Sequence, residues 1–148
     1  MTQILLGIQL ASVFLLLGLS VYIFAKWQTK LQGYLFFHVI VVLVNNAGYL
    51  MCMSSKTEHE YLLCLKASYL GRTWVAFSLL LLVISICKQK VSRKLLLGLS
   101  FFHILTYILV LFVENNTLYY SSMEFSYEGI LPCINHGNGI WYNINTFI

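Results

Sequence analysis

Arg72 is the residue whose type and place most clearly ask for chemistry. It stands directly before the uncharged run 73–87, so a helix through that run draws its guanidinium toward apolar surroundings. An arginine at the centre of a membrane-spanning helix costs about 2.5–3.5 kcal/mol on insertion scales, and ionisable groups held at such depth often mark function. Two readings stand. Either the side chain snorkels past Tyr69, one turn away, to the nearer surface, or it meets a ligand or partner. Asn45 and Asn46 lie past the middle of another apolar run, 35–53. Their amides need hydrogen bonds, and an interhelical polar bond in a membrane contributes about 0.6 kcal/mol on average. They either clasp two helices or line a polar cavity. Arg72, Asn45, Asn46 and Tyr69 are therefore the candidate polar-cavity residues.

The other reactive side chains point to no catalytic chemistry. His38 and His103 sit alone in apolar runs, with no histidine or carboxylate three or four residues away to complete a helical metal pair. The bland reading of each is a packing residue. His59 and His136 belong to loops and could titrate near neutral pH. Cys52, Cys64 and Cys133 fall toward one face and Cys87 toward the other, so four cysteines do not make two pairs. No Walker lysine loop, glycine-rich nucleotide motif or paired nucleophile and base is present. No catalytic residue, metal ligand or cofactor is expected in this chain.

The elements that must position these residues are membrane helices. The runs 4–25, 35–53, 73–87 and 95–113 contain no Asp, Glu, Lys or Arg. About 20 helical residues cross a hydrocarbon core of roughly 30 Å. Three runs suffice alone, and the third must borrow the residues before it. The chain is 59% hydrophobic and 9% charged, too little charge to cover a soluble domain. The basic residues sit beside apolar runs and form no separate patch, which argues against nucleic acid. The first run lacks a basic leader and is longer than a usual signal core, so it reads as a retained helix. Expected helices cover about 4–25, 33–53, 62–87, 95–113 and 139–148.

Charge assigns the faces. Lys26 and Lys30 follow the first run, and Lys88, Lys90, Arg93 and Lys94 follow the third. All six share one face of an alternating bundle. The positive-inside rule makes that face cytoplasmic and puts the N-terminus outside. Trp27 and Tyr34 fit the inner interface; Tyr49, Tyr61, Tyr69, Trp74, Tyr119 and Trp141 fit the outer one, or pack between helices. The fifth apolar stretch begins near Ile140 and is still running at Ile148. It reads as the start of a helix in a chain cut short, with a re-entrant segment as the alternative.

Between the fourth and fifth helices the period changes to two. Met123, Phe125 and Tyr127 alternate with Ser122, Glu124, Ser126 and Glu128. Glu128 and Gly129 offer a turn, and 130–135 a returning strand with Pro132 at an edge position. The expectation is a hairpin loop over about 117–136, lying on the outer mouth with its apolar side down. An irregular aromatic loop is the alternative. The fold class is thus an all-α multi-pass membrane bundle, four complete helices and the start of a fifth, with a short extracellular β-hairpin.

From Leu35 onward the chain resembles the N-terminal seven-helix membrane domain of bacterial sensor histidine kinases and some diguanylate cyclases. Asn46, Ala47, Gly48, Tyr49 and Leu50 are similar to that family's motif in its second helix. Lys66, Tyr69, Leu70 and Gly71 resemble its third-helix motif, and Leu118, Tyr119 and Tyr120 the opening of its outer hairpin. Gly137, Trp141 and Tyr142 resemble the glycine and aromatics that open its fifth helix. Cys52, Ser68, Asn115, Asn116 and Asn138 stand where the family has other residues. The resemblance implies a non-catalytic sensory region in the plasma membrane, N-terminus outside, whose cytosolic kinase or cyclase module lies beyond this chain. Its partners would be the lipid bilayer, an unknown small-molecule or physical signal, a C-terminal signalling domain and, in a homodimer, a second copy. A small transporter or half-transporter is the competing class, although no internal repeat supports it. A structural membrane subunit is the third.

Overall fold

A computed structural model describes residues 2–128 and 131–147. Four long helices form the bundle: α1 (Thr2–Ala25), α2 (Lys30–Ser54), α3 (Glu58–Ile86) and α4 (Arg93–Leu111). A short 3-10 turn (Val113–Asn115) leads to a hairpin of β1 (Tyr120–Glu128) and β2 (Leu131–Asn138), then to α5 (Ile140–Phe147). All four long helices are apolar and long enough to cross a membrane. Their outward leucine, isoleucine, valine and phenylalanine side chains are widely exposed. Such a surface needs lipid around it.

Two caps carry helices beyond the apolar runs. Thr29 caps α2 by accepting from the Gln32 backbone, and the Gln32 side chain returns to the Thr29 backbone. Thr57 caps α3 by accepting from Glu60 N–H. Each satisfies donors that the helix start would leave bare. At the other end of α3, Lys88 turns into the left-handed region at φ 52°. Its N–H reaches Ser85 and that of Gln89 reaches Ile84. This is a Schellman closure made without glycine.

The close helix pair is α2 with α3. A Cβ on Gly48 would overlap the Ser68 backbone, and one on Gly71 would overlap the Val41 carbonyl and the Asn45 amide. Two glycines therefore let the backbones approach as no larger residue would. Farther toward the α3 C-terminus, His38 Nδ1 bonds Ser78 Oγ at 2.9 Å. Helix α1 is held more lightly: Gln9 Nε2 and Ser12 Oγ donate to Asn46 Oδ1 at 3.0 and 3.3 Å.

The hairpin is a two-stranded antiparallel sheet in which Phe125 faces Ile134 and Tyr127 faces Pro132. With only two strands, each keeps a free edge, which a proline requires. Met123 and Ile134 pack on the core, and Phe125 meets Tyr61 at 6.0 Å. Ser122 and Glu124 face away and are exposed. Two strands alone are marginal in water, and the helix contacts anchor these. The expected turn at Glu128 and Gly129, the Ile130 start of the second strand and the Ile148 end of the fifth helix reach outside the described residues. Gly137 lies within β2, and the glycine before α5 is Gly139. A Cβ there would overlap the Leu118 carbonyl, because the two segments at the base of the hairpin meet where Gly139 N–H bonds the Tyr119 carbonyl at 2.9 Å. All four cysteines are free thiols.

Candidate functional site

Arg72 is the middle residue of the 29-residue α3. At about 1.5 Å per residue it stands about 21 Å from either end, and its side chain is exposed at the side of the bundle. Helical side chains lean toward the helix N-terminus, which for α3 is the hairpin end. The guanidinium accordingly lies over the Tyr69 ring, 5.0 Å from its centroid, and its Nη1 donates to Tyr49 Oη at 3.1 Å. It reaches toward the hairpin and is caught by two tyrosines on the way. The sole ion pair among the described residues is elsewhere, Lys66 with Glu114 at 3.1 Å. Arg72 thus has aromatic and phenolic neighbours without a carboxylate.

Tyr69 is the hinge of an aromatic cluster. Its hydroxyl shares a 2.6 Å hydrogen bond with that of Tyr120, and its ring meets Tyr119 edge-on at 5.6 Å. Tyr119 and Tyr120 contact Tyr142 at 5.6 and 5.9 Å, and Tyr120 lies against His136 at 4.2 Å. One skipped residue makes this geometry. Tyr120 pairs with Asn138 and Ser122 with Gly137, so Ser121 bulges and the strand bends into the bundle. Burial pushes the Tyr119 and Tyr120 phenols well above their ordinary pKa, with nearby Tyr69 adding to the shift. Both stay protonated and able to donate at any physiological pH.

Beside this cluster lies a cavity of about 300 Å³ between α3, α4 and α5. Arg72 and Tyr119 wall it on one side, Phe102 and His103 on α4 on another, and Tyr142 and Asn145 on α5 on a third. His103 is 8% exposed, yet its Nδ1 has no hydrogen-bond partner among the described residues. Trp141 fixes α5 to α4: its Nε1 donates to Thr106 Oγ1 at 2.9 Å and its ring stacks on Phe102 at 5.2 Å. Among the described residues no three His, Cys, Asp or Glu side chains gather to hold a metal.

The four residues singled out from sequence divide into three places. Arg72 and Tyr69 stand together at the cavity. Asn46 turns to α1, where it accepts from Gln9 and Ser12. Asn45 lies in the α2–α3 contact against Gly71, with its Oδ1 unpaired. Neither asparagine lines the cavity. Sequence reasoning did not assign Tyr142 or Asn145 to a site, and it treated His103 as packing. Their meeting depends on how α5 docks on α4, and no local pattern announces that.

The fold and the site define a multi-pass helical membrane protein with an arginine-lined cavity between α3, α4 and α5. The family model for the N-terminal 7TM region of histidine kinase matches residues 8–148, and the chain belongs to that family. No curated protein and no solved structure matches it. The motif glycines that carried the resemblance now have a physical reason: Gly48 and Gly71 are the contact points of α2 and α3.

Proposed function

We propose that the chain is the signal-sensing region of a histidine kinase-like transducer, with the N-terminus and hairpin outside and the loops 26–34 and 88–94 in the cytoplasm. The signal acts at the Arg72 cavity and biases two packings of α3, α4 and α5. A C-terminal output module beyond this chain reads that bias. The mechanism is a population shift, so the signal must interact differently with the two packings. The observation that carries this reading is the arginine-lined cavity between apolar helices in a member of the family of N-terminal 7TM regions of histidine kinase. The basic residues of the two loops support the orientation. The proposed partners are the lipid bilayer, the signal, the output module and a second copy of the chain.

The orientation is tested with a membrane-impermeant maleimide on intact cells, in a background with all four native cysteines replaced by serine. Glu124→Cys in the hairpin is expected to label from outside, and Gln89→Cys only after lysis. Labelling of Gln89→Cys in intact cells would overturn the topology and the sensing reading with it. For the output module, the reading frame past Ile148 is expected to encode further hydrophobic helices and then a soluble signalling domain. An immediate stop codon would contradict this.

A further inference from the structure

The Arg72 guanidinium carries five N–H donors in a planar fork, of which one is committed, to Tyr49. No carboxylate among the described residues pairs with it. Within the bundle the guanidinium meets the Tyr69 ring and the Tyr49 hydroxyl, and neither is a counter-charge. The neighbouring wall holds a second unmet need, the buried His103 Nδ1. Buried polar groups in folded proteins are nearly always satisfied, so this one orphan beside the four unused guanidinium donors points to a complement supplied from elsewhere. Phe102, Tyr119 and Tyr142 add aromatic faces, beside the polar Thr73, Asn145 and Thr146. The volume of about 300 Å³ falls at the lower end of small-molecule sites.

We infer that the cavity binds an anionic oxygen group carried on a small apolar body. The anion sits in the Arg72 fork, with the protonated Tyr119 phenol as a neighbouring donor. The apolar part lies against Phe102 and Tyr142. A planar fork matches a carboxylate bidentately. The anion has two available sources, a free amphipathic acid entering from the hairpin end or a lipid headgroup entering from the side. This inference names the ligand class of the sensing site proposed above. It rests on that reading only for the site's purpose, because occupancy and conformational response are separate measurements.

The probe is phenylacetate, with its neutral isostere phenylacetamide, titrated into the full chain in phosphatidylcholine nanodiscs. Quenching of tryptophan fluorescence reports occupancy, since Trp141 stacks on a cavity wall. The expected result is saturable quenching by phenylacetate, at least tenfold weaker binding of the amide, and at least tenfold loss of phenylacetate affinity in Arg72→Gln. Arg72→Lys, which keeps the charge and loses the fork, is expected to fall between. Equal binding of acid and amide to the wild type would overturn the inference and needs no variant to fold. So would an absence of saturable binding in both lipid compositions. Phosphatidylglycerol nanodiscs separate the sources. A weakened phenylacetate affinity there, abolished in Arg72→Gln, assigns the site to a lipid headgroup; an unchanged affinity assigns it to the free acid.

Discussion

Helix α3 turns one side to α2 and another to the space bounded by α4 and α5, and the two sides are built differently. Toward α2 the contact is glycine against backbone, with Gly71 on Val41 and Asn45 and Gly48 against Ser68. Such a seam has no room to slide. Toward α4 and α5 the contact is long side chains around a void: Arg72, Tyr69, Tyr119, His103 and Tyr142. These side chains have rotamers to change and partners to exchange. One helix thus joins a fixed seam to an adjustable cavity, an arrangement suited to a two-state element.

The largest effect is expected at the seam. Gly71→Val must separate α2 from α3, and overpacking of this kind costs about 1–3 kcal/mol and occasionally more. The variant should lose its monodisperse peak in detergent gel filtration. A wild-type profile would mean that the seam is loose. The next effect belongs to the cavity roof. Tyr69→Phe strands the buried Tyr120 hydroxyl, a loss of about 1–3 kcal/mol, and should raise hydrogen exchange in the hairpin far more than in α2. Uniform change across both would erase the distinction. The smallest effect is with pH. The raised phenols of Tyr119 and Tyr120 favour the folded state fully below the ordinary tyrosine pKa of about 10. That contribution is lost as pH rises through their folded values. In an alkaline absorbance titration these two phenols should ionise after the exposed tyrosines. Early ionisation would show a wet, open roof.

The membrane spans were legible because charge is absent from long runs, and the hairpin because Met123, Phe125 and Tyr127 alternate with polar residues. The sequence placed Arg72 one helical turn from Tyr69, but not its guanidinium over the Tyr69 ring. The depth of Arg72 along its helix was less legible. Apolar content placed the start of the third helix near residue 62, whereas the Thr57 cap starts α3 at Glu58 and makes Arg72 its midpoint. The threonine and the glutamate three residues on are a capping signal, and hydropathy does not register it. The cavity's far wall was not legible. The hydrogen bonds from Tyr69 to Tyr120 and from Trp141 to Thr106 join residues far apart in the chain. Such meetings follow from the bulge at Ser121 and the docking of α5, features of tertiary packing that no local period encodes.

The central claim is that the cavity side of α3 responds while the seam does not. Pulsed dipolar distances between spin labels test it most directly, in nanodiscs and in a background without the four native cysteines. One label pair spans the cavity side, at Glu124 in β1 and Leu97 in α4. The other spans the seam, at Met51 in α2 and Val83 in α3; all four positions are exposed. Saturating phenylacetate is predicted to redistribute the Glu124–Leu97 distances between two populations and to leave the Met51–Val83 distances unchanged. A Glu124–Leu97 distribution that stays fixed at saturation, or a seam that moves with it, would contradict the account.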